Sequence, residues 1–170
     1  NTGAVTQSIN VSLGNTYTVT VTQNGGCTSS GSTTVTVNPL PAPIITGTNV
    51  ICAGATTVFN AGPGFTSYLW SGGLPATQNV TVSVAGTYTV TVENANGCTK
   101  SPTRVLTVNA NPVPNITGVT SICQGQTTIL NAGGGYTNYQ WNGALPATQT
   151  VTVGTAGNYT VTVTNANLCT

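Results

Sequence analysis

The side chains able to do covalent chemistry are few and evenly placed. Cys27, Cys98 and Cys169 stand 71 residues apart, and the same 71 separates Cys52 from Cys123. No C-x-x-C pair and no His accompany them, so the clusters that hold structural zinc are missing. Regular cysteines in a Thr-rich chain point instead to disulfides and an oxidising, extracellular setting. The charged inventory is thinner still: Glu93, Lys100 and Arg104 make the whole set, with no Asp. A Ser-His-Asp or Cys-His arrangement cannot be assembled, nor can a carboxylate pair. No catalytic, cofactor-binding or metal-binding residue is assigned, and neither an enzymatic activity nor a cofactor is expected. Glu93 lacks a partner for acid–base work, and one carboxylate is too few for calcium. Lys100 and Arg104 are expected to be solvated or loosely paired with Glu93. Two basic residues cannot neutralise a phosphate backbone, so nucleic acid is excluded as a partner. No apolar run approaches the ~20 residues of a spanning helix, and the chain is not expected to cross a membrane.

The elements that position the cysteines are strands. Thr is the commonest residue, at 36 of 170, and the apolar residues are mostly Val. Both are β-branched and suit a pleated, half-buried surface. The 21 Gly and 9 Pro mark frequent turns, so the composition is all-β. Pro41–Thr46 reads as an opening strand with its prolines at the start, where an edge permits them. Thr56–Ala61 and Ser67–Trp70 follow, the latter ended by Ser71-Gly-Gly73. Asn79–Val84 alternates strictly, with Val80, Val82 and Val84 on one face, and Thr87–Val92 turns Tyr88, Val90 and Val92 inward. Asn94-Ala-Asn-Gly97 signals a hairpin turn, and Arg104–Val108 returns. These short strands, with one Trp and one Tyr inside, predict a small β-sandwich.

Self-similarity sets the organisation. Trp70 and Trp141 are 71 residues apart, as are Tyr17, Tyr88 and Tyr159. Pro41–Thr99 aligns with Pro112–Thr170 without a gap, at 38 identities in 59 positions. The unit is therefore a 71-residue module. Residues 1–39 match the C-terminal half of a first module, 40–110 form a complete one, and 111–170 form a third lacking its last strand. The chain has no Met. The expectation is a slice of a longer array, or strands supplied by another copy. Pro-rich linkers at 37–43 and 108–114 stiffen the joints, which favours a semi-rigid rod.

Ile51-Cys-Ala-Gly54, Tyr68-Leu-Trp70, Gly86-Thr-Tyr-Thr-Val-Thr-Val92 and Asn96-Gly-Cys-Thr99 resemble the Ig-like and PKD-like tandem repeats of large secreted surface proteins of Bacteroidota. The resemblance covers essentially the whole chain. It implies Ig-like or PKD-like sandwich modules and an extracellular role, secreted or at the cell surface of a bacterium. Repeats of this kind usually carry an Asp where Glu93-Asn94 stands, and more charge overall. Two disulfide patterns remain open. Within a module, Cys52 pairs with Cys98 and Cys123 with Cys169, leaving the partner of Cys27 outside the sequence. An Ig-type sandwich, however, puts those two loops at opposite ends, and cysteines more than about 7 Å apart at Cα cannot bond. A head-to-tail rod would favour Cys52 with Cys169, a staple between modules.

Phe65 and Tyr136 occupy equivalent glycine-rich loops and are candidates for surface contact or for packing on the next module. Trp70 and Trp141 read as core. Rows of outward Thr, such as Thr89 and Thr91, fit a solvent-facing strand surface and are candidates for glycosylation. A net charge of +1 favours association over mutual repulsion. The leading expectation is a structural component of an extracellular filament, stalk or sheath that associates with copies of itself. The alternatives are a cell-surface adhesin whose loops grip glycans or another cell, and a spacer array beside a catalytic domain elsewhere.

Overall fold

The computed structural model describes residues 5–170, and its regular elements are β-strands apart from one short 3-10 turn. At the N-terminus, β1 (Asn15–Thr22) and β2 (Thr28–Val35) form an antiparallel hairpin in continuous register from Asn15 opposite Val35 to Thr22 opposite Thr28. None of the residues 5–40 is buried. Residues 1–4 of the predicted first half-module lie outside the described residues.

Seven strands follow: β3 (Val50–Cys52), β4 (Thr57–Asn60), β5 (Ser67–Trp70), β6 (Asn79–Val82), β7 (Gly86–Glu93), β8 (Thr99–Lys100) and β9 (Thr103–Asn109). One sheet runs β3-β9-β7-β5, with β8 against β7; the other is β4-β6. Two-residue periodicity makes the core. In β6, Val80 and Val82 are buried while Asn79 and Thr81 face water. They close on Phe59, Trp70, Val90, Val92 and Leu106. Burying each of these side chains stabilises by about 1.5–3 kcal/mol. The polar tips are satisfied locally: Trp70 Nε1 donates to Thr77 O at 2.9 Å, and Tyr68 Oη to Gly62 O at 2.8 Å.

The C-terminal strands are β10 (Thr128–Asn131), β11 (Asn138–Trp141), β12 (Thr150–Val153) and β13 (Val161–Thr164). They pair as β10-β12 and β11-β13 around a second, separate core of Leu130, Ala132, Trp141, Val151 and Val153. Several contacts recur 71 positions further on. Trp141 Nε1 donates to Thr148 O at 2.9 Å, and Tyr139 Oη to Gly133 O at 3.0 Å. Tyr17, Tyr88 and Tyr159 each donate a hydroxyl proton to the carbonyl four residues upstream, on Leu13, Val84 and Thr155.

Some expectations need correction. Pro41–Thr46 is not a strand but a single bridge of Thr46 to Asn60, since Pro41 and Pro43 have no N–H to give a ladder. Val84 is exposed rather than inward, because β6 ends at Val82 and the chain turns toward β7. Arg104 is neither solvated nor paired with Glu93. Its guanidinium donates to Ile45 O and Gly47 O, closing the gap beside the bridge, while Glu93 accepts from Ser67 Oγ at 3.2 Å.

Candidate functional site

The two cores are joined covalently. Cys52 ends β3, and its carbonyl accepts from Ala55 N across a turn in which Gly54 takes a left-handed φ of 86°. Cys169 closes the turn after β13, where Asn165 N donates to Cys169 O at 3.0 Å. Their sulfurs are bonded, with the Cα atoms 5.6 Å apart at a sequence separation of 117. The within-module pairing is therefore not formed. Cys52 is bonded to Cys169 of the next unit rather than to Cys98, and Cys27, Cys98 and Cys123 carry free thiols in this chain.

Both cysteine loops are anchored to the same short linker. On the β3 side, Ala53 N donates to Asn109 O at 2.8 Å and Asn111 Nδ2 donates to Ala53 O at 3.1 Å. On the far side, Asn165 Nδ2 donates to Ala110 O at 3.0 Å. Asn165 Oδ1 meanwhile accepts from Asn167 N and Cys169 N, both at 3.0 Å, fixing the turn that presents Cys169. One asparagine thus shapes the loop and ties it to the linker. Cys169 is fully buried at this joint.

The upstream joint repeats half of this arrangement. Asn94 Oδ1 accepts from Asn96 N and Cys98 N at 3.0 Å, and Asn94 Nδ2 donates to Pro39 O at 3.0 Å. Cys98 Sγ lies 3.9 Å from Asn38 O. Cys98 is thus positioned as Cys169 is, facing the preceding linker.

Phe65 and Tyr136 are half-buried in their own units. Phe65 stands edge-on to Tyr68 at 5.9 Å between centroids, and Tyr136 to Tyr139 at 5.9 Å. The asparagine tie to the linker was not anticipated from sequence; the recurrence of Asn94 and Asn165 four residues before a cysteine was its available signal. Among the described residues no helix is long and apolar enough to cross a membrane. The chain matches no protein-family model, and no curated protein matches it significantly.

Proposed function

We infer that this chain is a load-bearing piece of an extracellular filament, stalk or sheath, built from tandem Ig-like modules on a 71-residue period and associating with copies of itself. The observation that carries this reading is the Cys52–Cys169 bond. Tension applied along the chain passes from Cys52 to Cys169 through sulfur and bypasses the backbone of both cores between them. A bond within one module would protect that module alone. A bond between modules also fixes the joint. Closing a loop of this size stabilises by about 5 kcal/mol in the chain-entropy model.

Three further features support the Ig-like assignment and the rod. Trp70 and Trp141 are buried on the strand before the 3-10 turn or its equivalent, and the tyrosine hydroxyls tie their corners to upstream carbonyls, as in Ig-type sandwiches. The linker is hydrogen-bonded from both sides. A net charge of +1 on 170 residues leaves little repulsion between adjacent chains. The module boundaries of the reading are 1–39, 40–110 and 111–170. The disulfide suits a secreted or surface location on a bacterium.

Negative-stain electron microscopy of the oxidised native material tests this. Straight, uniform rods that become flexible on adding dithiothreitol are expected. Compact single particles, unchanged by reduction, would contradict it.

A further inference from the structure

Asparagine followed by glycine has a chemistry of its own. The glycine nitrogen can close on the asparagine side-chain carbon, because no side chain on the second residue hinders the approach. The chain holds three such pairs: Asn24-Gly25, Asn96-Gly97 and Asn142-Gly143. The fold treats them differently. Asn142 is held at both ends of its amide: Oδ1 accepts from Thr160 N at 2.9 Å, and Nδ2 donates to Asn158 O at 2.8 Å. It cannot turn toward Gly143 N without giving up both bonds. Asn24 lies in the exposed turn between β1 and β2, and a Cβ built on Gly25 would meet nothing within 4 Å.

Asn96 is exposed, and among the described residues its side-chain amide has no hydrogen-bond partner. Its surroundings are singular. Glu93, the one carboxylate side chain of the sequence, ends β7 beside this turn. Its Oε2 is near Ser67 Oγ, while its Oε1 lies 3.7 Å from where a Cβ on Gly97 would stand. Oε1 is therefore in reach of Gly97 N, directly or through one water. Gly97 N donates to Asn94 O at 3.0 Å, a bond in an exposed turn that local opening releases. The other units lack the combination. The C-terminal unit has Thr164 and Leu168 in the places of Glu93 and Gly97, and the N-terminal unit has Thr22 and Gly25 in the places of Glu93 and Asn96.

We propose that the Asn96-Gly97 turn is a self-modification site, at which Asn96 closes on Gly97 N with the Glu93 carboxylate as base and then opens to isoaspartate. The Gly97 N proton passes to Glu93 Oε1 as the nitrogen bonds Asn96 Cγ and closes a succinimide ring. The Cγ–Nδ2 bond breaks, and the departing nitrogen takes the proton from Glu93 and leaves as ammonia. One water then opens the ring at its backbone carbonyl, giving isoaspartate, or at Cγ, giving Asp. One amide and one water enter; one carboxylic acid and one ammonia result. Isoaspartate adds a methylene to the backbone of the turn and a second carboxylate near Glu93, and like charges this close repel. Asn94 carries the change to the linker, because its Oδ1 accepts from Asn96 N and its Nδ2 donates to Pro39 O. The inference does not depend on the filament reading.

The test uses the freshly prepared full chain, incubated in neutral buffer, digested with chymotrypsin and mapped by mass spectrometry with electron-transfer fragmentation, which separates isoaspartate from Asp. Asn24, Asn142 and Asn167 serve as comparators within the same sample. Asn96 should convert fastest and Asn24 next. Asn142, with its amide held, and Asn167, followed by Leu168, should convert least. Glu93→Gln should slow Asn96 at least about fivefold, a small part of what a positioned general base contributes, and leave Asn24 unchanged. In concentrated urea, where the fold no longer holds Glu93 beside Gly97, the lead of Asn96 over Asn24 should vanish. Conversion of Asn96 no faster than that of Asn24 would overturn the proposal. So would a Glu93→Gln rate equal to or above the parent's, the result expected if Glu93 only braces the turn. A lead of Asn96 that persists in urea would overturn it as well.

Discussion

The guanidinium of Arg104 lies over the ring of Phe59, with Cζ 5.7 Å from the centroid. The same group donates to Ile45 O and Gly47 O, so a single cation ties β9 to the segment leading into β3 while covering a fully buried aromatic ring of the central core. Its Nε is buried without a partner, which offsets part of the gain. Two charge-assisted hydrogen bonds and a cation–π contact outweigh one orphaned donor.

Arg104→Met keeps most of the apolar stem and removes the donors. It should destabilise the central unit by about 1.5–3 kcal/mol, the usual worth of hydrogen bonds to a charged group. Thermal denaturation followed by Trp70 emission would read this, and Arg104→Lys should fall between the two. Because the guanidinium is engaged, limited trypsin should cut after the exposed Lys100 well before Arg104. Cleavage first at Arg104 would show that the group is free.

Leu168 occupies the turn position that Gly97 holds in the central unit, and it does so with a left-handed φ of 63° against 76° for the glycine. Its side chain is 80 % exposed, so little packing offsets the backbone strain. An L-residue in this region costs about 1–2 kcal/mol. Leu168→Gly should therefore stabilise the turn that presents Cys169, by about 1 kcal/mol once glycine's extra unfolded-state freedom is subtracted. Slower amide exchange at Asn167–Cys169 in the variant is the expected readout.

Gly47 and Gly118 are required for a different reason. A Cβ on Gly47 would strike the Val58 carbonyl oxygen, and one on Gly118 the Ile129 carbonyl oxygen. Both positions also have positive φ. Gly47→Ala should cost about 3 kcal/mol through clash and backbone strain together. Gly54→Ala, with open space around its Cβ, should cost only the strain, about 1–2 kcal/mol. Chemical denaturation of the two variants checks the order.

Much of the fold was legible because alternation writes strands directly. Val80 and Val82, then Val90 and Val92, fall inward as their spacing requires. The cysteines were likewise readable as disulfide formers, and one bond, Cys52–Cys169, is present. Their pairing was not legible: the repeat places Cys98 and Cys169 at equivalent positions, so spacing allows Cys52 to bond either, and only the ends at which the loops lie decide between them. The parallel strand Val50–Cys52 escaped notice because three residues carry no periodicity. Arg104 was misplaced because nothing local marks a lone cation for the two backbone carbonyls it reaches, which lie 59 and 57 residues away in sequence.

The central claim is that the Cys52–Cys169 bond carries load across the joint. Single-molecule force extension between the two chain ends tests it most directly. The bond locks 117 residues of sequence separation. Extended backbone spans about 3.3–3.6 Å per residue, so roughly 400 Å of contour should be missing from the oxidised chain. Pulling under oxidising conditions should release only the segment preceding Cys52, and adding dithiothreitol should restore the missing length. Equal contour lengths with and without reductant would contradict the account.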